Sequence, residues 1–308
     1  MATRSTSFQS RLTRDLKRYK YIYIMAILPC LYYLIFMYWP MYGAQIAFKV
    51  YSPGKGISGS VWVGLEHFSK FFSSYYLARL IRNTLLISLY SLLFSFPAPI
   101  LLALLLNELR CRWFKRCVQT VSYLPHFIST MVICGMIIDF TRSDGLINDI
   151  LAFFGAQRQT MLLNPMLFRP IYIISDIWQG VGWGSIIYLS ALTGIDQQLY
   201  EASAIDGAGR FRQMIHVTIP GIIPTITIMF ILRIGQIMSV GYEKIILLYN
   251  GTTYETADVI SSFVYRKGLI EANYGYSTAV GLFNSIINLL LILVANTISR
   301  RMSETSLW

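Results

Sequence analysis

Six apolar runs, each near the roughly 20 residues needed to cross a hydrocarbon core, decide what this chain can fold into. They cover about 21–39, 83–106, 118–140, 171–193, 222–249 and 277–298. With no water to satisfy the backbone inside a bilayer, such runs form helices. Charge agrees: Asp, Glu, Lys and Arg make up 13% of the 308 residues and apolar types 55%, where soluble domains carry about 25% charge. The expected fold is all-α: a polytopic membrane protein with six transmembrane helices. It divides into a basic N-terminal segment (1–20), a membrane domain (21–298) and a short tail (299–308). Pro97, Pro99, Pro125 and Pro224 fall inside spans and predict kinks. The fifth run is long enough to tilt or to pass the interface.

Basic residues set the orientation. Arg4, Arg11, Arg14, Lys17, Arg18 and Lys20 precede the first run. Arg110, Arg112, Lys115 and Arg116 follow the second, and Arg300 and Arg301 follow the last. Placing these inside gives cytoplasmic termini and a cytoplasmic loop at 201–220. The first apolar run is too long for a signal-peptide core and is read as a retained span. The net charge of +11 flanks the spans without any nucleic-acid motif, so nucleic acid is not expected as a partner, whereas membrane lipid is. His67, His126 and His216 are too far apart for a metal site, and no P-loop or hydrolase signature occurs. No catalytic residue and no metal is expected.

The stretch EASAIDGAGRFRQMIHVTIP, residues 201–220, is polar and punctuated by glycine between two spans. Asp196 is placed to cap a short helix in which Leu199, Ala202 and Asp206 share a side. Gly207 and Gly209 should end it. A second amphipathic helix, with Phe211, Met214, Ile215 and Val217 toward the membrane domain, should run to Pro220. The unit 196–220 has the form of a docking element that passes movement from a soluble partner to the membrane helices. An ordinary interfacial helix–turn–helix satisfies the same pattern.

That segment resembles the EAA loop of permease subunits of binding-protein-dependent ABC importers. Glu201, Ala202, Asp206, Gly207, Ala208, Ile219 and Pro220 match its pattern, with Ser203 and Met214 as departures. MYGAQIAFKVYSPGKGISGSVWVGLEHF, the stretch DIWQGVGWGSIIYLSALTGIDQQLYEASAIDGAGRFRQ, GYEKIILLYN and the terminal ETSLW are similar to the polysaccharide-type branch of carbohydrate importer permeases, alginate importers among them. The resemblance implies a subunit of an ATP-driven importer in a bacterial inner membrane, moving oligosaccharides or polysaccharide by alternating access. It implies a second, related permease subunit, two cytoplasmic ATPase subunits that hold ATP and magnesium, and a periplasmic or extracellular sugar-binding protein. On it, Glu201 pairs with a basic group in the ATPase cleft, Ala202 and Ser203 pack closely, and Gly207 makes the turn. A membrane-embedded glycan- or lipid-processing enzyme, or a non-transporting scaffold, are the other classes for such a chain. The first lacks a catalytic constellation here, and the second leaves polar residues within spans unexplained.

Those polar residues are the candidates for a substrate pathway, because ionisable groups inside a membrane are costly. Arg233, Gln236, Glu243 and Lys244 fall within roughly a 100° arc if the fifth run is one helix. That face points to a pore or a partner subunit, or to an internal salt bridge with interfacial anchoring. Asn284 and Asn288 share a face of the sixth run, for sugar hydroxyls or for interhelical hydrogen bonds. Trp178 and Trp183 offer aromatic faces to a sugar ring or anchor at the interface. Gly180 and Gly184 have helix-packing spacing. Asp176 and Asp139 are read as lying near the outer surface.

Overall fold

The computed structural model describes residues 17–302, with side chains to residue 300. Arg4, Arg11 and Arg14, together with Arg301 and the ETSLW terminus, fall wholly or in their side chains outside what is described. Among the described residues four helices are long and apolar enough to cross a membrane: α1 (Lys20–Phe48), α3 (Leu77–Glu108), α9 (Arg210–Ile234) and the last, α13, whose span covers Tyr274–Arg300. The pair α4 (Arg112–Phe127) and Thr130–Phe153, which opens with α5 (Thr130–Thr141), makes a fifth if taken as one span. The remaining expected run lies in α7 (Pro165–Thr193), whose 29 residues extend about 43 Å and whose apolar character is interrupted by Arg169, Asp176 and Gln179.

Two expected spans are corrected. The run 118–140 is not straight: Leu124–Phe127 tightens into a 3-10 turn around Pro125, Ser129 caps the next helix, and the axis bends by 104°. The run 222–249 is not one helix. α9 begins at Arg210, passes through Pro220 without stopping and ends at Ile234. After an unwound segment over 235–241 the chain resumes as α10 (Tyr242–Leu248).

Proline acts mainly through what precedes it. Three of the four wide π turns among the described residues, Tyr33–Tyr38, Ser91–Ser95 and Met214–Thr218, each end two residues before a proline, Pro40, Pro97 and Pro220, while Arg266–Ile270 has none after it. Proline donates no N–H and its ring displaces the carbonyl four residues back, so the preceding turn widens. The Phe96 N–H accordingly donates to the Ser91 carbonyl, five residues back, at 3.0 Å. Pro224 sits inside continuous helix.

Between α1 and α3 the chain forms a two-residue hairpin, β1 (Lys49–Val50) on β2 (Val61–Trp62), and then α2 (Glu66–Phe72). His67 closes this region, its Nε2 3.0 Å from the Lys49 carbonyl. The short α6 (Leu146–Phe153) follows α5. The helices α11 (Tyr254–Ala257) and α12 (Ile260–Tyr265) precede α13 (Tyr274–Met302).

At the end of the bundle that carries α8 (Gln197–Ile205), Ala103, Leu104, Tyr188, Leu192 and Ile222 join α3, α7 and α9. At the far end Ile87, Ile133, Phe168, Tyr172, Ile245 and Val259 form a larger core. Gly182, rather than Gly180, makes the close approach. A Cβ at Gly182 would lie 2.1 Å from the Ser122 carbonyl of α4, whereas Gly180 faces open space. None of α1's most apolar window is buried in the chain, leaving that helix for lipid or a partner.

Candidate functional site

The loop at 196–220 takes its shape from local rules. Asp196 caps α8 (Gln197–Ile205), its carboxylate accepting from the Gln198 N–H at 2.9 Å. At the other end Ala208 N–H donates to the Ser203 carbonyl (2.9 Å) and Gly207 N–H to that of Ala204 (3.0 Å). This is a Schellman close, and it needs the left-handed backbone that Gly207 adopts at φ +76°. Tyr200 ties the helix down: its hydroxyl lies 2.9 Å from Thr218 Oγ1, and its carbonyl accepts from Gln213 and Ser203. The sequence reading passed over Tyr200; its only sign was an aromatic with a polar tip beside the motif.

Tethered this way, α8 projects from the body. Glu201, Ala202 and Asp206 are exposed, Ser203 and Ala208 half-buried, and Pro220 lies within α9. Leu199 and Ile205 are solvent-facing, Ile205 at 87% exposure. The predicted inward face of the second helix is only partly found. Met214 and Val217 are half-buried, but Phe211 and Ile215 are exposed.

The polar residues within the spans separate into several places. Arg233 and Gln236 line a cavity of about 250 Å³ with Asp176, Ser88, Ser91 and Ser239. The Arg233 guanidinium donates to Ser91 Oγ and lies 4.0 Å from Asp176 Oδ2. Asp176 is thus not a surface group. It stands about 17 Å along α7 from Pro165, at about 1.5 Å per residue.

The cavity exists because α9 unwinds beside it. The backbone of 235–241 is satisfied by side chains from three helices. Ser88 donates to the Ile237 carbonyl, and Ser261 to that of Val240 at 2.9 Å. Asn288 accepts from the Met238 N–H at 3.0 Å and donates to Ser239 Oγ at 2.8 Å. Irregular backbone at membrane depth survives only under such conditions, and broken helices of this kind border the substrate sites of transporters.

The break also dissolves the expected single polar face. Glu243 is exposed on α10, and Lys244 is buried with its Nζ over the Tyr172 ring at 5.3 Å. Asn288 sits on the unwound segment, and Asn284 buries an Oδ1 that has no hydrogen-bond partner among the described residues. Trp178 borders a separate apolar cavity beside Val121 and Pro125. Trp183 stacks on His126, ring centroids 4.5 Å apart and planes within 2°.

A third polar centre had no counterpart in the sequence reading. Asp258 is fully buried and held by the fork of Arg266 (2.7 and 3.2 Å), by Ser262 (2.8 Å) and by Arg79 (3.5 Å). Asn83 donates to the carbonyls of Asp258 and Glu255, and Arg169 donates to Asn83 and to the Thr256 carbonyl. These bonds fasten α3, α7 and the 254–266 segment together. The spacing Asp258, Ser262, Arg266 was the available sign, since four-residue steps share a helix face.

A bundle of membrane helices with a polar cavity at a helix break and a braced helix projecting from one end defines a membrane transport subunit. Residues 95–304 match the family of binding-protein-dependent transport system inner membrane components, and the chain belongs to it. It is 44% identical over 301 residues to the polygalacturonan/rhamnogalacturonan transport system permease protein YteP of Bacillus subtilis (strain 168), covering 97% of this chain and 94% of that one. Protein LplB of the same organism is 44% identical over 294 residues, covering 95% and 92%. Among solved structures, a bacterial alginate ABC transporter in complex with an alginate pentasaccharide-bound periplasmic protein contains a chain 45% identical to this one. The two superpose with a TM-score of 0.89, covering 96% of this chain and all of that one.

Proposed function

We propose that this chain is one membrane subunit of an ATP-driven importer of oligosaccharides or polysaccharide fragments, acidic ones of the uronate kind among them. The observation that carries this reading is the whole-length similarity to permeases of acidic-glycan systems, together with the exposed, braced α8. In the assembly a second permease subunit completes the pathway, and a binding protein delivers glycan to the far end. Two cytoplasmic ATPases bind ATP and magnesium, and one of them seats on α8. The α8 end carries Arg110, Arg112, Lys115, Arg116, Arg210, Arg212 and Arg300, which favours a cytoplasmic position for that end and for both termini.

Glu201 then pairs with a basic group of the ATPase, and Leu199, Ala202 and Ile205 pack into its surface. Ser203, Asp206, Gly207 and Ala208 hold the turn, and Pro220 with its π turn joins the loop to α9. A closing ATPase dimer moves α8, Tyr200 hands the movement to Thr218, and α9 carries it to the cavity at Arg233 and Gln236. Asn284 and Asn288 border the pathway farther out and Trp178 and Trp183 nearer the α8 end, with Glu243 near its α10 side.

The test is uptake of labelled oligogalacturonide or alginate oligosaccharide into vesicles holding the complete complex. ATP-dependent accumulation together with co-purification of an ATPase is expected. Glycan accumulation without ATP, or absence of an associated ATPase, would overturn the assignment.

A further inference from the structure

The charges around the Arg233 cavity do not balance within the chain. Arg233 offers five N–H donors in a planar fork that suits a carboxylate held at two points. Among the described residues it meets Ser91 and, at the outer limit of an ion pair, Asp176. Behind the cavity wall Lys244 is buried to 5% exposure, and its Nζ has no hydrogen-bond partner among the described residues. It rests on the ring of Tyr172, which itself lines the cavity. Asp176 stands one helical turn from Tyr172 on the same face of α7 and lines the same cavity, which brings it toward Lys244 as well. Two cations therefore share one carboxylate that is bonded firmly to neither.

An unpaired buried cation is costly, and Arg233 and Asp176, open to the cavity at 44% and 33% side-chain exposure, are free to take another partner. The cavity is electrostatically prepared for a further anion. Glu243, the neighbouring carboxylate, is exposed, and among the described residues no salt bridge links it to either cation. Around the fork, Gln236, Ser88 and Ser239 supply donors and acceptors suited to hydroxyls, so the complementary ligand is a hydroxylated carboxylate.

We propose that Arg233 binds the carboxylate of a passing uronate unit, and that Asp176 is its displaceable counter-ion, turning to Lys244 while the glycan holds the guanidinium. Empty of glycan, Asp176 keeps Arg233 from standing uncompensated. With glycan present the two carboxylates serve the two cations one each. The site thus selects charge without trapping it, because Asp176 returns to compete for Arg233 as the glycan leaves. This deepens the importer reading and rests on it.

The experiment compares glycan-stimulated ATPase activity of the complete reconstituted importer with one probe, alginate pentasaccharide, delivered by binding protein titrated to saturation. The variants are Arg233→Gln, Arg233→Lys, Asp176→Asn and the double Arg233→Gln/Asp176→Asn. Assembly of each is checked by co-purification of the ATPase. Recognition predicts roughly tenfold or greater loss of stimulation for Arg233→Gln, the effect of removing a charge-assisted hydrogen bond. It predicts partial rescue by Arg233→Lys. Asp176→Asn should hold the glycan at a lower concentration of loaded binding protein and turn over more slowly.

The double variant decides. If the pair only braces the fold, removing both charges restores stimulation, and the proposal is overturned. If Arg233 recognises the glycan, the double variant stays as impaired as Arg233→Gln. Stimulation of the native importer by the carboxyl-reduced, neutral pentasaccharide to the same extent would also overturn the carboxylate subsite while leaving the importer intact. No stimulation by any glycan would instead remove the importer function itself.

Discussion

The two functional regions of this protein are built in opposite ways. The α8 unit is closed within 23 residues of chain, from the Asp196 cap to the Tyr200–Thr218 tie. The Arg233 cavity draws Ser88 and Ser91 from α3, Asp176 from α7 and Gln236 from the unwound end of α9. The first can move as a rigid body, because its bonds are mostly internal. The second must change shape when its helices move, because each belongs to a different segment. A subunit that converts movement at one end into access at the other needs that pairing.

The prediction with the largest expected effect on stability concerns the region that must not move. Asp258→Ala leaves the half-buried Arg266 and Arg79 without their fully buried carboxylate, costing about 3 kcal/mol, the low end for breaking a buried pair from one side. A thermal-unfolding scan of the purified complex should show the loss, while the α8 unit, remote from it, keeps its own fold. A variant as stable as the native chain would show that the cluster carries no load.

Next is Gly207→Pro. Proline cannot take the positive φ, and it removes the N–H that donates to Ala204, so the end of α8 fails locally at a cost of about 3 kcal/mol or more. Glycan-stimulated ATPase activity should vanish with global unfolding temperature little changed. If stimulation survives, α8 is not the coupling element.

Asn288→Ala sharpens the boundary between the regions. It strands the Met238 N–H and is expected to cost about 1–3 kcal/mol at the break. Faster hydrogen exchange over 235–241 than over 197–208 is the readout, and uniform exchange would contradict a locally held break. The smallest effect is expected for Tyr200→Phe, which deletes one hydroxyl contact and about 1 kcal/mol. It should weaken the link between ATP hydrolysis and uptake more than it lowers either rate alone. Unaltered coupling would remove Tyr200 from the path of movement.

The same contrast explains what could be read from the sequence. Asp196 and Gly207 were legible because a cap and a left-handed turn are fixed by residues a few positions apart. The all-helical membrane class was legible because hydropathy is summed along the chain. Arg233 and Gln236 stood out as polar residues at membrane depth, but their partners Ser88, Ser91 and Asp176 come from other helices. The break at 235–241 was hidden by an apolar run that continues through Ile245–Leu248. Only Gly235 and Gly241 marked it, and α9's beginning at Arg210 was hidden by Pro220, which proved to widen the helix rather than end it. Asp258 and Arg79 lie too far apart in sequence for any local pattern to join them.

The central claim is that α8 couples an ATPase to a glycan cavity in this chain. Glu201→Ala tests it most directly, because Glu201 is exposed and no hydrogen bond or salt bridge within the chain engages it among the described residues, so its removal leaves the fold alone. The measurement is glycan-stimulated ATPase activity of the reconstituted complex, with and without binding protein. The account predicts that Glu201→Ala lowers stimulation by every transported glycan, acidic or neutral, because it acts at the drive and not at the cavity. Full stimulation by all of them with the ATPase still bound would contradict it.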